Sequence, residues 1–328
     1  MDIMQTRILC GAEVRRLLTM EDTIGAMREA LRGVSSGSAA MLQRQMLPQP
    51  EENKFAVMGG ADSTLGLCGA KVIVFPGPAA GKAGTSQGII PLFDSTTGAL
   101  AAIVDAEEIT AVRTAATSAA ATDLLARPDA DSLAILGAGR IGRLHIDAIA
   151  RVRPIRTVYV WNRTPARAED CCRWAAQAFG IKAIPCADPK KAVEQAMIVC
   201  TVTQAREPIL QGDWLREGAH LNAVGACAPF ARELDSRAVT RSRVFVDQRE
   251  AALGGSGDLV LPVREGVFSP EQVAGEIGEV LLGRLPGRQS DTEITLFESV
   301  GISVEDLAAA ALVFRKAEAE QLGTCVTL

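Results

Sequence analysis

The sequence predicts an α/β protein: a doubly wound parallel sheet accompanied by a second, discontinuous α+β domain. Three features support this. Apolar strand-like runs alternate with helical stretches over 132–247, the pattern of parallel strands joined by crossover helices. The first 120 residues instead hold strand-like runs with little helical periodicity between them, which suits antiparallel pairing. A helix rich in small residues, "ISVEDLAAAALVFRKAEAEQLG", follows the strand-like "ITLFES" and is expected to return to the first domain. The domains are therefore expected at 1–126 with 295–328 and at 127–294, linked by the turn-rich "RPDAD" (127–131).

In chain order, "MEDTIGAMREALRGVSSG" reads as a helix opened by Thr19 and Asp22, spaced as in a capping box. "RQMLP", "KFAVMGG", "AKVIVFPG", "GIIPLFD" and "ALAAIVD" read as strands, the last two joined by a hairpin that turns at Gly98. "EEITAVRTAATSAAATDLL" (107–125) is a helix whose small side chains let another backbone come close. After the link, "SLAILGAG" is a strand ending in glycines, and "RIGRLHIDAIARV" continues at helical spacing. "TVYVW" is β-branched and aromatic, and "PARAEDCCRWAAQAFG" is a helix stopped by Gly180. "IKAIPC", "MIVCTVT", "AHLNAVG" and "RVFVD" supply further buried strands.

Composition excludes several function classes. With 328 residues, 48% of them hydrophobic and 22% charged, the chain can bury two cores and is not expected to be disordered. A net charge of −5 without a Lys/Arg block argues against nucleic acid or an anionic membrane as partner. Asp2 and a short apolar run do not suit a secretory signal, and no apolar stretch reaches spanning length, so a cytoplasmic protein is expected. Eight scattered cysteines without CxxC fit reduced thiols, and His145 and His220 are the sole histidines. No metal site and no Ser-His-Asp triad is expected, and both histidines are read as structural.

The segment Gly137-Ala138-Gly139-Arg140-Ile141-Gly142 fits GxGxxG, follows an apolar strand and opens a helix. Such glycines allow a tight turn and bring backbone N–H groups to a pyrophosphate at the positive helix end. About 20 residues on, where an acid would accept the ribose 2′-hydroxyl of NAD, the chain has Asn162-Arg163-Thr164. Arg163 can fork onto a 2′-phosphate, so NADP is expected in preference to NAD. Thr201, Thr203, Val224 and Ser299, near the ends of later strands, complete the expected cofactor contacts.

These segments, with "EITAVRTAATSAAATDLLA" (108–126), "VWNRT" (160–164), "HLNAVGA" (220–226), "RELD" (232–235), "SGDLVLP" (256–262) and "ITLFESVGISVEDLAAA" (294–310), closely resemble the ornithine cyclodeaminase/mu-crystallin family in the family's order. The resemblance implies a homodimer assembled through the discontinuous domain, with an active site in the cleft between the domains. It also implies an amino-acid or cyclic-imine enzyme. Arg44, Lys71 and Arg113 match the family's carboxylate-binding positions. An unpaired cation in an apolar strand or small-residue helix is costly, so an anionic substrate is expected to supply the missing charge. The alternative for each is a structural ion pair. Cys227 stands where bacterial ornithine cyclodeaminase has a catalytic aspartate, and Ala56 where it has a glutamate. Mu-crystallin-type reductases carry a small serine in the Cys227 slot and the same "WNRT"; their Ser-His pair is Thr85-Ser86 here. Cys227 is assigned to the substrate, the alternative being a small buried apolar residue.

The expected function is an NADP(H)-dependent reductase of small 2-imino acids such as pyrroline- or piperideine-2-carboxylate. Lys71 is the candidate proton donor, with carboxylate binding as its other possible role. A cyclodeaminase, an oxidative amino-acid dehydrogenase and a non-catalytic NADPH-binding protein are the alternatives. Specificity is expected from 77–87 and 227–232.

Overall fold

Two sheets, one entirely parallel and one mostly antiparallel, organise the chain into the expected Rossmann-type domain and α+β domain. The computed structural model describes residues 5–77 and 86–327. Its two units are Met1–Arg113 with Ile302–Leu328, and Thr114–Gly301.

The first unit opens with β1 (Thr6–Leu9), α1 (Gly11–Leu17) and α2 (Met20–Ser36). Thr19 caps α2 by accepting the Asp22 N–H, and Gly37 ends it at a left-handed φ of 84°. Strands β2 (Ala39–Met41), β3 (Gln45–Pro48), β4 (Lys54–Asp62), β5 (Leu67–Phe75), β6 (Gln87–Asp94) and β7 (Leu100–Asp105) follow. β4 to β7 pair antiparallel in sequence order, and Gly98 turns the last hairpin at φ 73°. β7 leads directly into α3 (Ala106–Leu125). β1 departs from the antiparallel expectation by lying parallel to β7. At four residues it is too short for its periodicity to be read.

The second unit comprises β8 (Ser132–Leu136), α4 (Arg140–Val152), β9 (Thr157–Trp161), α5 (Pro165–Phe179), β10 (Lys182–Cys186), α6 (Pro189–Val193), β11 (Ile198–Thr201) and β12 (His220–Ala223). It continues through α7 (Ser236–Thr240), β13 (Arg243–Val246), α8 (Arg249–Gly255), α9 (Gly257–Arg264), β14 (Val273–Glu276), α10 (Ile277–Leu281) and β15 (Thr295–Glu298). The chain then re-enters the first unit with α11 (Ser303–Glu320) and β16 (Thr324–Val326). The parallel order is β10-β9-β8-β11-β12-β15-β13-β14. Strand order reverses between β8 and β11, the switch point at which open α/β sheets bind ligands beyond their strand ends.

The unit boundaries differ from those expected at 126/127 and 294/295. β15 lies between β12 and β13, parallel to both, so "ITLFES" belongs to the parallel sheet. The first boundary falls inside α3, after Arg113. The later part of α3 is tied to the parallel sheet by side chains, with the Asn222 amide donating to Thr122 Oγ1 at 3.0 Å. Both histidines are buried in this unit. His145 Nδ1 donates to the Ile141 carbonyl at 2.8 Å, and its Nε2 meets Ser118 Oγ at 2.9 Å. His220 contacts Thr295 Oγ1 and Asn222 Oδ1. Burial pushes them down to about 4 and about 3 respectively, so both stay neutral and structural.

Arg153 closes the end of α3. Its guanidinium donates to the carbonyls of Thr122, Asp123 and Ala126 at 2.8–3.0 Å and to the Asp123 carboxylate at 2.9 Å. Four C-terminal helix carbonyls lack intrahelical partners, and a cation at this end also meets the helix dipole favourably. Arg153→Met should lower the unfolding free energy in urea by ~3 kcal/mol, since several buried acceptors lose a charged donor together.

Candidate active site

In the parallel unit the glycine loop is shaped by close packing. Gly137 has φ 121°, and a Cβ there would sit 2.8 Å from the Val202 carbonyl oxygen and 3.0 Å from Thr203 Cγ2. A Cβ on Gly142 would lie 2.0 Å from the Gly137 carbonyl oxygen, so no larger residue fits at either position. Gly139, the N-cap of α4, differs: a Cβ there would meet nothing within 4 Å. The first turn of α4 therefore presents bare backbone at a positive helix end, a cradle that fits a dinucleotide pyrophosphate. Ala138 is buried, Ile141 half-buried and Arg140 exposed.

Asn162 braces this loop. Its Oδ1 accepts the Ala138 N–H at 3.1 Å, and its Nδ2 donates to the Thr164 carbonyl at 3.1 Å. Arg163 is exposed, and among the described residues no acid pairs with it. Thr164 is the N-cap of α5, with Pro165 at the first helical position. The predicted cofactor residues on later strands lie at carboxyl ends of the sheet. Thr201 is buried, and its carbonyl accepts the Val224 N–H at 3.1 Å. The hydroxyls of Thr203 and Ser299 are engaged by buried acids the sequence reading left unassigned. Thr203 Oγ1 donates to Glu233 at 2.6 Å, and Ser299 Oγ to Asp247 at 3.2 Å. Cys227 is exposed, with Sγ donating to the Val224 carbonyl at 3.3 Å, which removes the buried-cysteine alternative. It opens the 227–232 loop, where Phe230 is also exposed. Residues 78–85 of the other specificity loop, Thr85 included, lie outside the described residues.

In the first unit, Lys71 on β5 and Arg113 on α3 meet two acids on α11. Lys71 Nζ lies 2.6 Å from Asp306 Oδ2 and donates to Thr110 Oγ1 at 3.4 Å. Arg113 Nε contacts Asp306 Oδ1 at 2.8 Å, and its terminal nitrogen contacts Glu305 Oε2 at 2.7 Å. All four side chains are at most 5% exposed. The expectation that a substrate must neutralise Lys71 and Arg113 is therefore corrected. Glu305 and Asp306 do so, because α11 returns from the far end of the chain. The readable signal is the pair of adjacent acids in the small-residue helix "VEDLAAA".

The electrostatics follow from this geometry. Burial is the main cause that lowers Lys71 to about 8; Asp306 opposes it, while Arg113 and Arg44 add to it. Arg44, half-buried between β2 and β3, thus lies within electrostatic reach of Lys71. Burial alone would raise Asp306, but Arg113 and Lys71 hold its carboxyl below the ordinary value.

The sequence profile of the ornithine cyclodeaminase/mu-crystallin family matches residues 4–321. The chain belongs to this family. It is 35% identical to a Delta(1)-pyrroline-2-carboxylate reductase of Bacillus cereus over 320 residues, 96% of this chain and 98% of that protein. It is 42% identical to the ketimine reductase mu-crystallin of Mus musculus over 228 residues, 70% of this chain and 69% of that one. Among solved structures, the Thermococcus litoralis Delta(1)-pyrroline-2-carboxylate reductase in complex with NADH and L-proline superposes with a TM-score of 0.95 at 32% identity. That match covers 98% of this chain and 100% of the other.

Breaking the charge cluster should be costly, because a buried cation loses its compensation. Asp306→Asn is expected to reduce the unfolding free energy by ~3 kcal/mol. Urea denaturation followed by circular dichroism measures this, and an unchanged midpoint would show that the pair contributes nothing to stability.

Proposed function

We propose that this chain is an NADP(H)-dependent reductase of small 2-imino acids, with cyclic ketimines such as pyrroline- or piperideine-2-carboxylate as substrates. The observation that carries this reading is the convergence of three cationic side chains, with Lys71 and Arg113 buried against Glu305 and Asp306 and Arg44 within electrostatic reach of Lys71, a set of donors suited to a substrate carboxylate. Its relatives named as pyrroline-2-carboxylate and ketimine reductases support the same chemistry.

In this reading Arg44 and Arg113 hold the carboxylate and fix the orientation of the C=N group, which lowers the entropy cost of reaction. When bound, the reduced nicotinamide supplies the hydride that adds to the imine carbon. Lys71 supplies the proton that the nitrogen gains. With a value of about 8, its ammonium is mostly protonated at neutral pH yet gives up its proton readily. Ala56 is buried and apolar, and Cys227 is a free thiol, so neither offers the carboxylate that a second substrate amine would require.

The preference for NADP rests on this chain's own Asn162-Arg163-Thr164. Both ends of the Asn162 amide are used inside the protein, and no carboxylate occupies its slot to accept a 2′-hydroxyl or repel a 2′-phosphate. Arg163 extends from the same loop into solvent, where a 2′-phosphate can accept from it.

The deciding experiment is NADPH oxidation with Δ1-pyrroline-2-carboxylate, run beside NADH and an ammonia assay on ornithine. Oxidation without ammonia is the expected result; ammonia without net cofactor change would replace the reductase by a cyclodeaminase. For imine reduction, kcat/KM should fall as pH rises through about 8, where Lys71 loses its proton, and amine oxidation should rise over the same range. Lys71→Met should abolish that limb with most of the turnover while leaving NADPH affinity intact. Arg163→Ala should raise KM for NADPH by ~10-fold and leave KM for NADH nearly unchanged, since a charge-assisted bond to phosphate is lost. Equal effects on both cofactors would remove Arg163 from the phosphate role.

A further inference from the structure

Glu233, in the segment between β12 and α7, is fully buried and pairs with no cation among the described residues. Its carboxylate instead accepts three donors from two strand ends. Oε1 takes the N–H of Thr203 at 2.5 Å and its hydroxyl at 2.6 Å, and Oε2 takes the N–H of Gly225 at 2.8 Å. Thr203 follows β11 and Gly225 follows β12, so one side chain ties together the carboxyl ends of two adjacent strands. The fit is close. A Cβ on Gly225 would lie 2.0 Å from the Thr203 carbonyl oxygen and 2.6 Å from Glu233 Oε2.

The tie reaches the glycine loop. Val202 and Thr203 form the floor beneath Gly137, at the distances that exclude a side chain there. The backbone of Glu233 is itself anchored, since Asp258 Oδ1 accepts its N–H at 2.8 Å and that of Leu234 at 2.9 Å. Asp258 on α9 thus fixes Glu233, Glu233 fixes Thr203, and Thr203 supports the turn at Gly137.

We propose that Glu233 is a positioning residue for the nicotinamide dinucleotide: it sets the height of the β11 end beneath the glycine loop and so fixes how the loop meets the cofactor. This rests on the nucleotide-binding reading of the parallel unit but not on the identity of the imino acid. A carboxylate is the side chain suited to the task, because all three facing groups are donors. A glutamine would turn its NH2 towards at least one of them and lose that bond.

The test is nucleotide binding without turnover, which keeps it separate from the substrate assignment. Purified Glu233→Gln is titrated with NADPH and with NADH by fluorescence, beside wild type and Glu233→Asp, with circular dichroism as a check on folding. The dissociation constant of the better-bound nucleotide is expected to rise ~10-fold or more in Glu233→Gln, as bonds to a charged acceptor are lost. In steady state KM for the nucleotide should rise while KM for the imino acid stays within about twofold, a split that general destabilisation does not produce. A folded Glu233→Gln that binds nucleotide like wild type overturns the proposal. If that variant does not fold, Thr203→Val decides: weaker nucleotide binding of ~3-fold or more is expected from loss of its hydroxyl bond, and unchanged affinity overturns the proposal. If wild type itself binds neither nucleotide, the underlying nucleotide reading fails instead, and the two failures are distinct.

Discussion

Lys71 and Arg113 are buried charges that the first unit tolerates because α11 brings Glu305 and Asp306 within 2.6–2.8 Å of them. Taking ions out of water costs several kcal/mol each, and only close partners with good geometry offset it. Much of the unit's construction serves that approach. A Cβ on Gly69 of β5 would lie 2.2 Å from the Pro91 carbonyl oxygen and 3.1 Å from Leu307 Cδ2. A Cβ on Gly60 of β4 would lie 2.9 Å from Ser303 Oγ. Ser303 Oγ donates to the Gly59 carbonyl at 2.7 Å, seating the first turn of α11 directly on the sheet. The glycines of "VMGG" and "LCGA" and the alanine run of α11 thus share one purpose: they let helix and sheet come close enough for the ion pairs to form.

The second unit buries acids by another route. Glu233, Asp247, Asp258 and Glu298 are at most 1% exposed, and among the described residues none pairs with a cation. Backbone N–H groups and hydroxyls take that place. Asp247 Oδ2 accepts the N–H groups of Val300 and Gly301 at 2.9 and 2.8 Å, and Ser256 Oγ donates to Glu298 Oε1 at 2.7 Å. The consequence is opposite in sign to that at Asp306. Burial, then neighbouring carboxyls, push Asp258 and Glu298 well above the ordinary carboxyl range, whereas cations hold Asp306 below it. Two units of one chain therefore place carboxylates for different ends. In one they balance charge around a lysine poised near neutral pH. In the other they fasten strand ends to one another.

Much of the fold was legible because its elements are long and carry strong local signals. The Thr19 cap of α2, the turn at Gly98, the stop at Gly180 and the glycine fingerprint all lie where their chemistry requires. The short strands β1, β14 and β16 were not legible, since three or four residues establish no period. The domain boundaries moved for a related reason. "RPDAD" looks like a linker by composition, yet compact units are set by which side chains pack together. Residues Thr114 to Leu125 and β15 pack with the parallel sheet.

At the site, the sequence by itself determined the reactive inventory: a glycine loop opening a helix, an arginine in place of the usual acid after β9, and Lys71 and Arg113 embedded in apolar or small-residue segments. Local composition suffices for these, because each depends on residues within a few positions of one another. Only the tertiary structure decided what those groups meet. Asp306 lies 193 positions from Arg113, and Glu233 lies 30 from Thr203. Nothing local marks either pair. The partners of a buried charge are chosen by the path of the chain through space, and that path is fixed by the packing of whole elements.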